Sequence, residues 1–284
     1  MRQVYVNGRY LPESEAQVSV FDRGFLFGDA VYEVTLVLDG KLVDFGPHMA
    51  RLRRSLGELG LVGAPGEVEL LDIHRELVTR NGVAEGMVYL QVTRGVADRD
   101  FEFPRAGTPL TTVLFTQHKS VLDNPDAARG LRVVTVDDLR WRRCDIKTVQ
   151  LLYQSMAKVQ ARSRGADDAW MVRDEHVTEG SSNNAFIVTA DGSLITRQLS
   201  SDILHGITRV AVMECARSRE LRIAERPFTV KELMGAQEAF STSSTGLVSP
   251  VVSVDDRPIG TGRPGPVAGH LRQIYIERAR ATAI

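Results

Sequence analysis

The amino-acid sequence predicts an α/β protein of the α+β type, built as two mixed α/β domains. Three observations carry that expectation: hairpin-type strands open the chain and amphipathic helices follow them, a second half repeats the mixture with its own strands and helices, and a polar segment containing Pro and Gly separates the halves. With 284 residues, 43% hydrophobic and 25% charged, the chain can bury a substantial core and suits two small domains better than one.

Residues 3–7 run into Asn7-Gly8, and Ala30 to Leu38 run into Asp39-Gly40 followed by Leu42 to Phe45. These read as strands joined by hairpin turns, because Asn-Gly and Asp-Gly tolerate the positive φ such turns need. Residues 47–60 and 66–82 then place Met49, Leu52, Leu56 and Leu59, and Val68, Leu71, Leu77 and Val78, at helical spacing, each run closed by glycine. Strand composition returns at 87–93 and 111–116. Between them lies GVADRDFEFPRAG, long for a mere connection and therefore a functional candidate. Residues 119–130 (KSVLDNPDAARG) read as a linker, giving an N-terminal domain at 1–118 and a C-terminal domain at 131–284. The second half alternates strands at 131–136, 168–173, 185–189 and 237–242 with helices at 148–164, 208–219 and 266–280.

Lys plus Arg (35) nearly equals Asp plus Glu (36), so no overall field would gather nucleic acid or an anionic membrane, and a small-molecule partner is expected. Cys144 and Cys215 are too few for a disulfide framework and lack the spacing of a metal site, which suits a reducing cytoplasm. No apolar signal core follows Met1, and no apolar run approaches the ~20 residues that span a bilayer. The GxGxxG, GK[ST], GxSxG and HExxH patterns are all missing.

Lys147, in RWRRCDIKTVQLL, stands just ahead of an amphipathic stretch through Val159, where an irregular segment would enter a helix. Burial beside cations such as Arg140 or Arg142 would help such a lysine lose its proton; a solvated surface charge is the ordinary alternative. Glu179, in HVTEGSSNNAFIV, falls at a strand end, as a partly buried carboxylate or a turn acid facing water. The run Ser181-Ser182-Asn183-Asn184 offers short donors or a plain polar turn. Gly206, Ile207 and Thr208, in HGITR, precede a helical pattern, either as a phosphate cup of free N–H groups or as a Thr-assisted helix start. The hydroxyl cluster Ser241 to Gly246 could close that cup. Arg51, in HMARL, is a fork-shaped cation suited to a phosphate, with His48 one turn away.

DRGFLFGDAVYEV, HMARL, RWRRCDIK, VTEGSSNNAF, HGITR and FSTSSTGLVSPV occur in the order and approximate spacing of the class IV (fold type IV) pyridoxal-phosphate (PLP) aminotransferases, and the chain resembles that family over nearly its whole length. Within a family that includes branched-chain aminotransferases, (R)-amine transaminases and aminodeoxychorismate lyases, it looks most like the D-amino-acid transaminases. The resemblance implies pyridoxal 5'-phosphate held between two α/β domains, with Lys147 as the Schiff-base lysine and proton carrier and Glu179 as the partner of the pyridine nitrogen. It implies that Arg51, Ile207, Thr208 and Ser244 hold the phosphate, that Leu204 packs on the ring, and that Arg140 supports the phosphate side. Tyr32, Ser182, Arg99 and Phe101 would meet the substrate. It further implies a homodimer in which the loop from Arg94 to Pro104 reaches the partner's site. The reaction expected moves an amino group from a D-amino acid such as D-alanine to a 2-oxo acid, in two steps through pyridoxamine phosphate.

One departure bears on the substrate. In the D-amino-acid enzymes an RGxxxRxH loop supplies an arginine and a histidine to the α-carboxylate, and here it reads RGVADRDF. Arg99 matches, Phe101 stands at the histidine position, and Asp100 sets a carboxylate beside Arg99. Losing one charge-assisted donor costs about 1.5–3 kcal/mol, so tolerance of (R)-amines lacking a carboxylate is expected. The competing readings are a branched-chain L-amino-acid aminotransferase, an aminodeoxychorismate lyase and a PLP-binding protein without turnover.

Overall fold

The computed structural model describes residues 1–284 and confirms a mixed α/β fold. The chain forms two compact units. The first comprises Met1–Ser120, Ile146–Gln150 and Ala279–Ile284, and the second comprises Val121–Asp145 and Leu151–Arg278.

The first unit runs β1 (Gln3–Val6), β2 (Arg9–Pro12), α1 (Arg23–Phe27), β3 (Ala30–Leu38), β4 (Lys41–Leu42), α2 (Phe45–Glu58), α3 (Glu67–Arg80), β5 (Glu85–Thr93) and β6 (Thr111–His118). The strands form one antiparallel sheet in the order β2-β1-β6-β5-β3-β4. Both expected hairpins are present, with Asn7 and Gly8 at φ 46° and 87° and Asp39 and Gly40 at 52° and 74°. The strand expected to reach Phe45 stops at Leu42, because Asp44 takes a left-handed φ of 52° and Phe45 opens α2. Helices α2 and α3 bury Met49, Leu52, Leu56, Leu70, Ile73 and Leu77 against Val31, Val37, Val88, Leu90 and Val92 of the sheet.

Lys147 was expected in the C-terminal domain, but its segment groups with the first unit. Val31 bridges Thr148, the Tyr32 amide donates to Lys147 O (3.0 Å), and the Val149 amide donates to Ala30 O (3.2 Å). The same pairing delays the following helix, expected from residue 148, until Leu152.

The second unit contains α4 (Pro125–Arg129), β7 (Leu131–Asp137), α5 (Leu152–Ser163), β8 (Asp168–Arg173), β9 (His176–Gly180), β10 (Asn184–Val188), β11 (Leu194–Thr196), α6 (Ile207–Arg217), β12 (Ile223–Glu225), α7 (Val230–Met234), β13 (Glu238–Ser243), β14 (Leu247–Val254) and β15 (Arg257–Pro258), with most of α8 (Pro266–Thr282). Its sheet follows β12-β11-β10-β13-β14-β7-β8-β9, with β15 paired to β14. The expected linker is therefore partly structured: Asn124 caps α4 by accepting from the Asp126 amide, and residues from Val121 onward group with this unit. Helix α5 packs on β7 and β8 through the small side chains of Ala157 and Ala161. No helix is long and apolar enough to cross a membrane.

His74 of α3 is fully buried, with Nδ1 donating to Leu70 O at 2.6 Å and the ring edge-on to Phe45. Burial holds its pKa down at about 4, so the ring is neutral in the fold. Because the unfolded ring binds its proton near pH 6.5, its contribution to stability is complete above that pH and is lost as pH falls toward about 4. The urea midpoint of the cofactor-free protein should fall between pH 6.5 and 4, and His74→Gln should show a smaller fall across that window. An equal fall in both proteins would assign the acid sensitivity elsewhere.

Candidate active site

In the first unit the site grows from the alternation of β3. Val31, Glu33, Thr35 and Val37 share the face that meets the helices, while Tyr32 and Val34 take the other. Glu33 is thus a carboxylate at a core position, 1% exposed. Helix α2 answers it with two side chains one turn apart. Arg51 donates from Nε to Oε1 (2.8 Å) and from Nη2 to Oε2 (2.7 Å), and His48 Nδ1 lies 2.8 Å from Oε2. Burial would raise the Glu33 pKa, but the Arg51 charge and these donors bring it down to about 2. One turn further along α2, Ser55 Oγ accepts from the Lys147 amide at 3.4 Å. A single face of α2 therefore fixes both β3 and the lysine segment.

The Lys147 Nζ stands 4.2 Å from the ring centre of Tyr32, and no carboxylate pairs with it. Tyr32 stacks on Tyr89, and Tyr89 on Phe115, at 5.5 and 4.7 Å between centroids. The lysine amine is thus presented on an aromatic face and makes no ion pair.

In the second unit Glu179 ends β9 and is 4% exposed. Arg140 Nη1 donates to its Oε1, Asn184 Nδ2 to its Oε2 (2.9 Å), and the Leu204 amide to both oxygens (3.2 and 3.1 Å). Burial raises the Glu179 pKa, and Arg140 offsets only part of that rise. Arg140 is itself gripped by Asp138, to which it donates from Nε (2.9 Å) and Nη2 (2.8 Å). The arginine expected to act on Lys147 and on the phosphate side thus directs its charge to Asp138 and Glu179.

Asn184 links this carboxylate to the start of α6. Its Nδ2 also donates to Leu204 O (3.0 Å), and a Cβ added to Gly206 would lie 2.0 Å from its Oδ1, so only glycine fits there. Gly206 is the N-cap of α6 and offers no side chain, leaving the Ile207 and Thr208 amides without a capping acceptor. Across the sheet Asn184 pairs in register with Thr242, whose buried Oγ1 has no partner, and Ser244 follows two residues later in the β13–β14 loop. Ser182 is solvent-exposed in the turn between β9 and β10.

The long loop belongs to the first unit. Arg99 is exposed, with its guanidinium 5.4 and 5.5 Å from the ring centres of Phe27 and Phe101. The Asp100 carboxylate does not pair with it and instead accepts from the Glu102 amide at 3.2 Å. No group of three or more His, Cys, Asp or Glu side chains is placed to hold a metal ion.

Glu33, Ser55 and Asp138 were not among the expected site residues, and Asn184 was expected only as one of a run of short donors that could equally be a polar turn. Only Glu33 carried a local signal, a charge on the core-facing phase of an alternating strand. The others are revealed by partners 92, 2 and 40, and 5 and 20 residues away in sequence, respectively.

A sequence model described as amino-transferase class IV matches residues 30–254. The chain is 38% identical over 275 residues to a D-alanine aminotransferase of Staphylococcus aureus (strain MSSA476), covering 96% of each, and 39% identical over 271 residues to a D-alanine aminotransferase of Bacillus licheniformis, covering 95% of this chain and 94% of the other. Among solved structures it resembles a T.th. branched-chain amino acid aminotransferase with pyridoxamine 5'-phosphate, with a TM-score of 0.91, 27% identity, and 99% and 94% coverage. It also resembles the branched-chain aminotransferase of Thermoproteus uzoniensis with norvaline, with a TM-score of 0.86, 27% identity, and 99% and 95% coverage.

Glu33→Gln should destabilise the protein by about 3–5 kcal/mol, because Arg51 would stay buried without its anion. Since the folded pKa of Glu33 lies near 2 against an ordinary 4.5, its contribution is present above pH 4.5 and lost as pH falls through about 2. Urea unfolding across pH 2–6 should therefore show the variant less stable at pH 6, with the gap narrowing below pH 4.5. A constant gap would contradict an ionised Glu33.

Proposed function

Because the chain belongs to the class IV aminotransferases, and so is a PLP-dependent transaminase, we propose that its amino donor is a D-amino acid such as D-alanine and its acceptor a 2-oxo acid. The observation that carries the donor class is the near full-length identity to D-alanine aminotransferases, well above that to the branched-chain enzymes whose folds it shares.

The residues present suit the cofactor. Gly206 offers no capping side chain and admits Asn184 at close range, Thr242 keeps a buried hydroxyl without a partner, and Glu179 is a buried carboxylate able to face a cation. When bound, pyridoxal phosphate supplies a carbonyl carbon for the donor amine and a protonated ring that withdraws electrons from the carbon losing its proton. In our reading the Ile207 and Thr208 amides, the Ser244 hydroxyl and Arg51 bind phosphate oxygens, with α6 directing its positive end toward them. The Glu33 carboxylate already balances the Arg51 charge, so Arg51 would contribute oriented donors more than net attraction. Glu179 would hold a proton at the ring nitrogen, steadied by Arg140 and Asn184, while Leu204 packs against the ring. Lys147 Nζ, which makes no ion pair and is set over Tyr32, would hold the cofactor and, once the donor amine has displaced it, would be free to take the donor's α-proton and deliver it again. Tyr32, Ser182, Arg99 and Phe101 would meet the substrate.

We further read the protein as a cytoplasmic homodimer. Its buried cysteines, Cys144 and Cys215, form no disulfide and suit a reducing compartment. Leu152, Met156 and Val159 lie on one face of α5 and are 75%, 57% and 69% exposed, an apolar stripe suited to burial against a second copy. Met156→Lys should shift the sedimentation coefficient toward that of a monomer, and an unchanged dimer would remove this face from the interface.

Borohydride reduction of the holoenzyme should fix the cofactor to the peptide containing Lys147, and Lys147→Ala should lose that attachment; labelling of another lysine would overturn the assignment. Donors added singly should separate the readings. D-alanine should bleach the visible absorbance of the bound cofactor rapidly, (R)-1-phenylethylamine slowly, and L-leucine and L-glutamate very little. Fast bleaching by L-leucine would favour the branched-chain reading, and none by any donor would favour a binding protein.

A further inference from the structure

Two buried arginines share one carboxylate oxygen in the first unit. Asp29 Oδ2 accepts from Arg23 Nε at 2.9 Å and from Arg94 Nε at 2.7 Å, and the arginine side chains are 3% and 9% exposed. Two cations on one anion leave positive charge inside the protein, which is costly unless other groups meet the remaining donors. Backbone and rings meet them. Arg23 Nη1 donates to Asp100 O (2.8 Å) and Glu102 O (3.3 Å), and Arg94 Nη2 to Leu59 O (2.8 Å). The Arg94 guanidinium lies 3.8 Å from the ring centre of Phe103, and that of Arg23 lies 4.4 Å from Phe27.

The two carbonyls held by Arg23 flank Phe101. Phe101 in turn meets Phe27 edge to face at 5.9 Å, and both rings border the guanidinium of Arg99. Arg99 is exposed and makes no ion pair, so its fork is open to an anion, and it stands beside two rings tied to Arg23: Phe101, whose flanking carbonyls Arg23 holds, and Phe27, over whose ring the Arg23 guanidinium lies.

We propose that Arg23, anchored by Asp29, is a positioning residue for recognition of the substrate carboxylate: by holding the Asp100 and Glu102 carbonyls and stacking on Phe27, it orients Arg99. This rests on the reading in which Arg99 receives that carboxylate. Neither Arg23 nor Asp29 touches substrate. Phe101, in place of a donor, becomes part of the platform that keeps Arg99 in position.

The test is a double-mutant cycle on the holoenzyme, following the half-reaction with D-alanine to obtain its dissociation constant and maximal rate. Arg23→Lys keeps the charge but not the fork, and should weaken D-alanine binding about tenfold, the loss typical of one charge-assisted hydrogen bond, with the maximal rate within about twofold. Arg99→Ala should weaken binding at least as much. In the Arg99→Ala background, Arg23→Lys should add little, because its effect runs through Arg99. Phe27→Leu, which removes the shared ring without breaking the ion pair, should behave in the same way and serves if Arg23→Lys fails to fold. Equal losses in both backgrounds would overturn the positioning role while leaving the carboxylate reading intact. Unchanged binding in Arg99→Ala would overturn the carboxylate reading, and this proposal with it.

Discussion

Asp29, Glu33, Asp138 and Glu179 have side chains no more than 9% exposed, and a carboxylate taken out of water is costly unless donors replace the lost hydration. Each is met by arginine: Arg23 and Arg94 at Asp29, Arg51 at Glu33, and Arg140 at Asp138 and Glu179. The requirement that these charges be matched fixes more of the geometry than their number suggests. Arg51 can reach Glu33 only if α2 lies across β3, and with α2 there Ser55 meets the amide of Lys147. Arg23 can reach Asp29 only if α1 folds back beside the start of β3, which brings it to the loop carrying Arg99.

The two buried glutamates show how surroundings divide the same chemistry. Glu33 receives two arginine bonds and a histidine, and its pKa drops to about 2, so it stays charged and acts as a structural tie. Glu179 receives one arginine bond, one side-chain amide and a shared backbone N–H, and for it burial outweighs the donors, leaving its pKa raised. A carboxylate in that balance gains strongly from a further positive partner. A protonated ring nitrogen would be such a partner, and the gain is the physical means by which Glu179 would keep that proton in place.

Much of this was legible in the sequence because it is local. Asn7-Gly8 and Asp39-Gly40 announce their hairpins, the spacing of Met49, Leu52 and Leu56 announces α2, and HGITR announces the helix start at Gly206. What escaped is pairing across distance. Thr148 and Val149 stand directly ahead of an amphipathic run, where local pattern makes them the first turn of a helix, but hydrogen bonds to β3, more than 100 residues earlier, draw them into extended backbone. β14 escaped as well, and it lies between β13 and β7 in the sheet. The motif order identified the family, whereas the contacts of Asp138 with Thr178 and of Asn184 with Leu204 join segments that no single motif contains.

The loop at Arg99 shows why cofactor chemistry and substrate choice rest on different physics here. Most of the groups proposed for the phosphate and ring, Glu179, Ile207, Thr208 and Ser244, lie at a strand end, a helix start and a strand-to-strand loop, where backbone geometry would fix the donors. The proposed carboxylate contact would rely on one exposed arginine, Arg99, with Phe101 standing where a second donor would be needed. Replacing a donor by a ring forgoes about 1.5–3 kcal/mol of charge-assisted bonding and returns about 0.5–1 kcal/mol of cation–π contact at an exposed site. In the proposed reading the exchange would favour orientation over attraction: Arg99 would be held in place by the rings beside it but would hold an anion less tightly. A donor without a carboxylate would then lose less relative to D-alanine than in a loop with both donors, so the same substitution that sets a ring beside Arg99 would narrow the difference between acids and amines.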